Sequence, residues 1–73
     1  MPSFREMVER AIELVKKHGE LSVERLAYLM NISPTYARYL MRGAAETDPD
    51  VVYDGRKLIY RKEGEAAPAV KSS

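Results

Sequence analysis

Leu26-Ala27-Tyr28-Leu29-Met30-Asn31-Ile32-Ser33-Pro34-Thr35-Tyr36-Ala37-Arg38-Tyr39-Leu40 is the stretch whose side chains decide the fold. Two helices joined by a tight turn need a particular order of residues. The first helix must bury an aliphatic side chain and then place a small one where the helices cross; Leu26 and Ala27 supply these. The turn must accept a left-handed residue, and asparagine is the non-glycine type best able to do so, here as Asn31. Ile32 follows as an apolar plug. Ser33 caps the next helix, and Pro34 occupies its first turn, where a missing N–H costs nothing. Ala37 and Leu40 hold that helix against the first. The pattern predicts a helix over 33–46 that frays from Gly43 onward.

Upstream, residues 3–18 read as a helix. Ser3 and Glu6 have the spacing of a capping box. Phe4, Met7, Val8, Ala11, Ile12, Leu14 and Val15 recur at three-to-four spacing. Glu6 with Arg10, and Glu13 with Lys16 and Lys17, have the spacing of local ion pairs. Lys16, Lys17 and His18 suit the negative end of the helix, and Gly19 supplies a left-handed stop. Residues 20–22 form an extended link in which Leu21 can add one strand to a later hairpin. Ser22 caps a helix running to about Met30.

Downstream, Thr47-Asp48-Pro49-Asp50 is a polar loop. Val51-Val52-Tyr53, Asp54-Gly55 and Arg56 to Lys62 then read as a hairpin, with Asp54 and Gly55 as its central turn pair, both at positive φ. Val51, Tyr53, Leu58 and Tyr60 share one face of the hairpin, and Val52 and Ile59 share the other. The second face needs either Leu21's strand or a partner to cover it. From Glu63 on, Gly, Ala, Pro and Ser dominate, so the chain divides into a domain over 1–62 and a tail over 63–73 expected to be disordered.

With the Leu26–Leu40 pattern followed by this hairpin, the chain resembles the winged helix-turn-helix DNA-binding family over roughly residues 4–62. Asn31 stands where that family usually has Gly, and Ala37 where it usually has Val or Ile. The resemblance implies an α+β fold, mostly α with a small β-hairpin, in the order helix, short strand, helix, helix, hairpin. It also implies a double-stranded DNA-binding protein, a transcription regulator, with helix 33–46 in the major groove and the 51–62 wing on the backbone or in the minor groove. The positions that would meet DNA are Ser33, Pro34, Thr35, Tyr36, Arg38, Tyr39 and Arg42 on the helix, and Arg56, Lys57, Arg61 and Lys62 on the wing.

Charge distribution fits that implication better than total charge does. The chain has 73 residues with 12 Lys+Arg against 11 Asp+Glu, so its net charge argues for no partner. Residues 1–32 balance Arg5, Arg10, Lys16, Lys17 and Arg25 against Glu6, Glu9, Glu13, Glu20 and Glu24. Between Ser33 and Arg42 there are bases and no acid, and the same holds from Gly55 to Lys62. Glu46, Asp48, Asp50 and Asp54 lie between these segments.

Composition removes other classes. Cysteine is absent, so disulfides and thiolate metal sites are excluded, and His18 alone is a poor basis for a zinc site. No nucleophile–base pair or glycine-rich phosphate loop is recognisable, so neither an enzyme nor a cofactor is expected, and no small-molecule ligand is evident. The sequence contains no membrane span or secretory leader, which gives a cytoplasmic expectation. The lack of Gln and Cys beside 32% charged residues is a thermophile-like bias. A homodimer could form through the second hairpin face or through a wide apolar arc on the first helix including Phe4, Val8 and Val15. The alternative function is a protein-interaction module docking through Tyr36, Tyr39 and Met41; RNA binding is a third option.

Overall fold

The computed structural model describes residues 2–61. Three helices and a three-stranded antiparallel sheet follow one another as α1 (Phe4–His18), β1 (Glu20–Ser22), α2 (Val23–Met30), α3 (Pro34–Thr47), β2 (Val51–Tyr53) and β3 (Lys57–Tyr60). This is an α+β fold in the winged helix-turn-helix arrangement. Lys62 and the 63–73 tail lie outside the described residues.

Each helix begins at a serine. Ser3, Ser22 and Ser33 are extended, and their Oγ atoms accept the backbone N–H of Glu6, Arg25 and Tyr36 at 3.2, 3.1 and 3.1 Å. The Ser3 N–H in turn donates to the Glu6 carboxylate at 3.0 Å, completing the capping box. The end of α2 fixes the interhelical corner. Asn31 sits at φ 58 and ψ 50, its N–H donates to the Tyr28 carbonyl, and the Ile32 N–H donates to the Ala27 carbonyl at 3.0 Å. These are the two hydrogen bonds of a Schellman stop, with Asn31 in the position usually given to glycine. Ile32 then packs against the core as expected.

The core lies between the three helices and the inner face of the sheet. Leu26, Leu40, Met41, Leu58 and Val15 are its largest fully buried side chains, joined by Ala11, Ala37 and Ala44 at close approaches. Burying one such Leu or Met stabilises by about 1.5–3 kcal/mol. A domain this small is held by a net margin of only about 5–15 kcal/mol or less. Each of these side chains is therefore a large share of stability.

The sheet has the order β1-β3-β2. Leu21 pairs with Leu58 and Leu58 with Tyr53, while Val51 pairs with Tyr60; these rows face the core. Glu20, Ile59 and Val52 form a row on the opposite face. The Leu21 strand thus extends the sheet beside β3 and does not cover that opposite face. The predicted turn pair is also displaced by one residue. Tyr53 pairs with Leu58, so the central residues are Gly55 and Arg56, and of the predicted pair Gly55 alone has positive φ, at 96°. Glycine with positive φ at the first central position is what a type II′ hairpin requires.

Further expectations are corrected. Helix α3 does not fray at Gly43: Ala44 is fully buried, and the last turn closes with Asp48 N–H on the Ala44 carbonyl at 2.9 Å. The α1 arc is narrower than its pattern implies, because Val8 and Val15 are buried in the core and Phe4 alone of that trio is exposed. Lys16 does not pair along its own helix; its ammonium reaches Asp48 at 3.0 Å and lies 5.6 Å from the centre of the Tyr60 ring. One side chain thereby joins α1, the α3–β2 loop and β3.

Candidate nucleic-acid interface

Helix geometry dictates which side of α3 is free. Ala37, Leu40, Met41 and Ala44 recur at three-to-four spacing and are all buried. Their burial turns Pro34, Thr35, Arg38, Tyr39 and Arg42 outward, and all five are exposed. Tyr36 behaves differently: it is half-buried, with its ring centroid 6.3 Å from that of Phe4, so α1 holds it at the margin of the free arc. Ser33 uses its oxygen as the helix cap, and its hydroxyl proton remains available to a phosphate oxygen. Met41 is fully buried and cannot take part in the docking contact expected with Tyr36 and Tyr39.

The hairpin turn is held beside α3 by two devices. One carboxylate oxygen of Asp54 accepts the N–H groups of Arg56 and Lys57, both at 2.9 Å. Those two bonds hold the Asp54 carboxyl below its ordinary pKa. The Val23 N–H, at the start of α2, donates to the Arg56 carbonyl at 3.1 Å and ties the turn to the helix pair. The result is an open cleft of about 540 Å3 lined by Arg38 of α3 together with Arg56 and Lys57 of the turn, and also by Glu24 and Asp54.

The two α3 arginines, equivalent in the sequence pattern, face different neighbours. Arg38 lines the cleft with the turn, whereas Arg42 lies one helical turn further along beside Phe4, Tyr39 and Glu46. On the sheet, Lys57 is half-buried and its ammonium is 3.4 Å from the Glu20 carboxylate. Both partners of that pair are substantially exposed, so it is worth well under about 1 kcal/mol and a phosphate can displace it. Arg61 is exposed but sits at the other end of β3, where its backbone N–H donates to the Asp50 carbonyl at 2.7 Å. Strand rise separates it from the turn by roughly 13–16 Å. Arg38, Arg56 and Lys57 are therefore gathered, Arg42 and Thr35 continue the same helix face, and Arg61 stands apart.

The sequence reading had not placed three residues at this surface. Glu24 enters the cleft from α2. Glu46 shares the outward arc one turn after Arg42, which its i+4 spacing could have revealed. Phe4, read as part of the α1 apolar arc, joins Tyr39 in an exposed aromatic patch, with relative exposures of 48% and 56%.

The chain matches no protein-family model, no curated protein and no solved structure. Among the described residues no helix is long and apolar enough to cross a membrane. None of their His, Asp and Glu side chains group in threes that could hold a metal ion.

Proposed function

We propose that this chain is a winged helix-turn-helix protein that binds double-stranded DNA and acts as a transcription regulator. Helix α3 enters the major groove, and the β2–β3 turn lies on the flanking phosphates. One observation carries the reading: Arg38 and Arg42 project from a rigidly braced helix, and the basic hairpin turn is fixed next to Arg38. A duplex offers phosphates to Arg38, Arg56 and Lys57 and base edges to Arg42, Thr35 and Tyr39. Arginine in the major groove pairs bidentately with guanine and also binds phosphate. The free N–H groups and hydroxyls of Ser33 and Thr35 at the start of α3 suit phosphate oxygens.

The protein-interaction alternative draws on the near-zero net charge and on Phe4 and Tyr39, which are exposed without an intramolecular cover. Anisotropy titration of a labelled duplex pool separates the two. Arg38→Ala and Arg42→Ala each weaken binding by about 1–3 kcal/mol. Arg10→Ala, on the exposed side of α1, leaves it unchanged. Equal affinity of all three variants removes the groove reading, and absence of duplex retention at low salt favours the docking module.

A further inference from the structure

We propose that the Phe4–Tyr39 face binds a second copy of this chain, and that this pairing and duplex binding exclude one another. The exclusion rests on the DNA reading above; the pairing does not. Phe4 and Tyr39 are the large side chains left open where α1 meets α3, and with half-buried Tyr36 and Gly43 they form a continuous apolar patch. The rim of the patch identifies the occupant. It carries Arg5 and Glu9 from α1 and Arg42 and Glu46 from α3, two charges of each sign. A uniformly acidic or basic partner leaves half of that rim facing like charge. A second copy related by a two-fold axis avoids this when an acid lies opposite a base, because an isologous interface repeats each contact, residue i on j and j on i. Arg42 and Glu46 are one turn apart on one helix face, so antiparallel apposition of two α3 helices sets Arg42 of each copy against Glu46 of the other.

The same geometry makes the dimer incompatible with the duplex. Helices in contact lie about 8–10 Å apart. Recognition helices serving successive major grooves must lie about 34 Å apart. Pairing through α3 thus covers Arg42 and Tyr39 instead of presenting them to two half-sites. The apolar area is small, which places the interface in the weak class below about 1,200 Å2, with dissociation in the micromolar range or above. The occupied state is then set by protein concentration and by free DNA.

Sedimentation equilibrium of the full chain from about 10 µM to 1 mM, with and without a duplex of about 20 base pairs, tests this. The wild type shifts from monomer toward dimer across that range. Glu46→Lys weakens the dimer by about tenfold or more, and combining Arg42→Glu with Glu46→Arg restores it. Phe4→Ala weakens the dimer by about tenfold or more, with its fold checked by circular dichroism. Excess duplex converts wild-type dimers into complexes carrying monomers. A wild type that stays monomeric at 1 mM overturns the pairing, as does a dimer indifferent to Glu46→Lys. A dimer that binds the duplex intact overturns the exclusion. A chain that dimerises at high concentration and binds no duplex even at nanomolar concentration, where it is monomeric, overturns both the DNA reading and the exclusion.

Discussion

Asn31 holds the corner between α2 and α3 in a left-handed conformation, at φ 58 and ψ 50. The penalty for a β-branched side chain there is direct: Asn31→Val lowers stability by about 1–2 kcal/mol, whereas Asn31→Gly is neutral or slightly stabilising. Urea midpoints of the two variants decide this, and equal losses would show that the αL backbone is not what Asn31 contributes. Asp48 contributes differently. The Asp50 N–H at 2.9 Å, and then the Lys16 ammonium, hold its carboxyl below the ordinary carboxylate value. A lowered folded pKa means that the stabilisation is present above the unfolded value near 4 and is lost as pH falls through the folded value. Asp48→Asn therefore melts below the wild type at pH 7, and the gap closes as the solution is taken below about pH 4. Thermal melts of both proteins from pH 7 to pH 2 measure it; a gap constant with pH refutes the ionic contribution. Asn31 was legible in the sequence because its role is local. The Lys16–Asp48 contact was not, because nearer acids on α1 offered Lys16 an equally good pattern and only the folded chain brings the α3–β2 loop alongside.

At the scale of elements, helix starts were the most legible features, since each serine cap reaches only three residues ahead. The order of elements followed from the switch between helical and alternating apolar spacing. Where the reading erred, pairing or coverage decided. Asp-Gly is a good turn pair, yet the Tyr53–Leu58 register moves the turn to Gly55-Arg56 and frees Asp54 to bind two N–H groups. Periodicity showed which side of α1 is apolar but not how much of it α3 and the sheet would cover, so Val8 and Val15 could not be separated from Phe4. The approach of α1 to α3 depends on Gly43. A Cβ there would lie 3.0 Å from Val8 Cγ2 and 3.5 Å from the Phe4 ring. Gly43→Val forces the two helices apart and costs about 1–3 kcal/mol. A drop in melting temperature reports that cost, and an unchanged melting temperature would show that the contact has room to spare.

For the whole molecule, near-zero net charge conceals segregation. Arg38, Arg42, Arg56 and Lys57 lie on α3 and the turn beside it, while Glu6, Glu9 and Glu13 line an exposed side of α1 around Arg10. The gathering of bases on α3 and the hairpin was legible from the acid-free segments, whereas residues 1–32 read as balanced. The division of Arg38 from Arg42 was not, because it depends on where the hairpin turn comes to rest. A polyanion approaching such a molecule is oriented before contact, and the strength of that pull falls with added salt. The dependence of duplex affinity on salt concentration tests the central claim most directly. The basic face predicts that log K falls linearly with log salt, and that Arg38→Ala and Arg56→Ala each make the slope shallower by about one unit or less, one phosphate contact apiece. A duplex affinity indifferent to salt, or a slope that neither substitution changes, would contradict it.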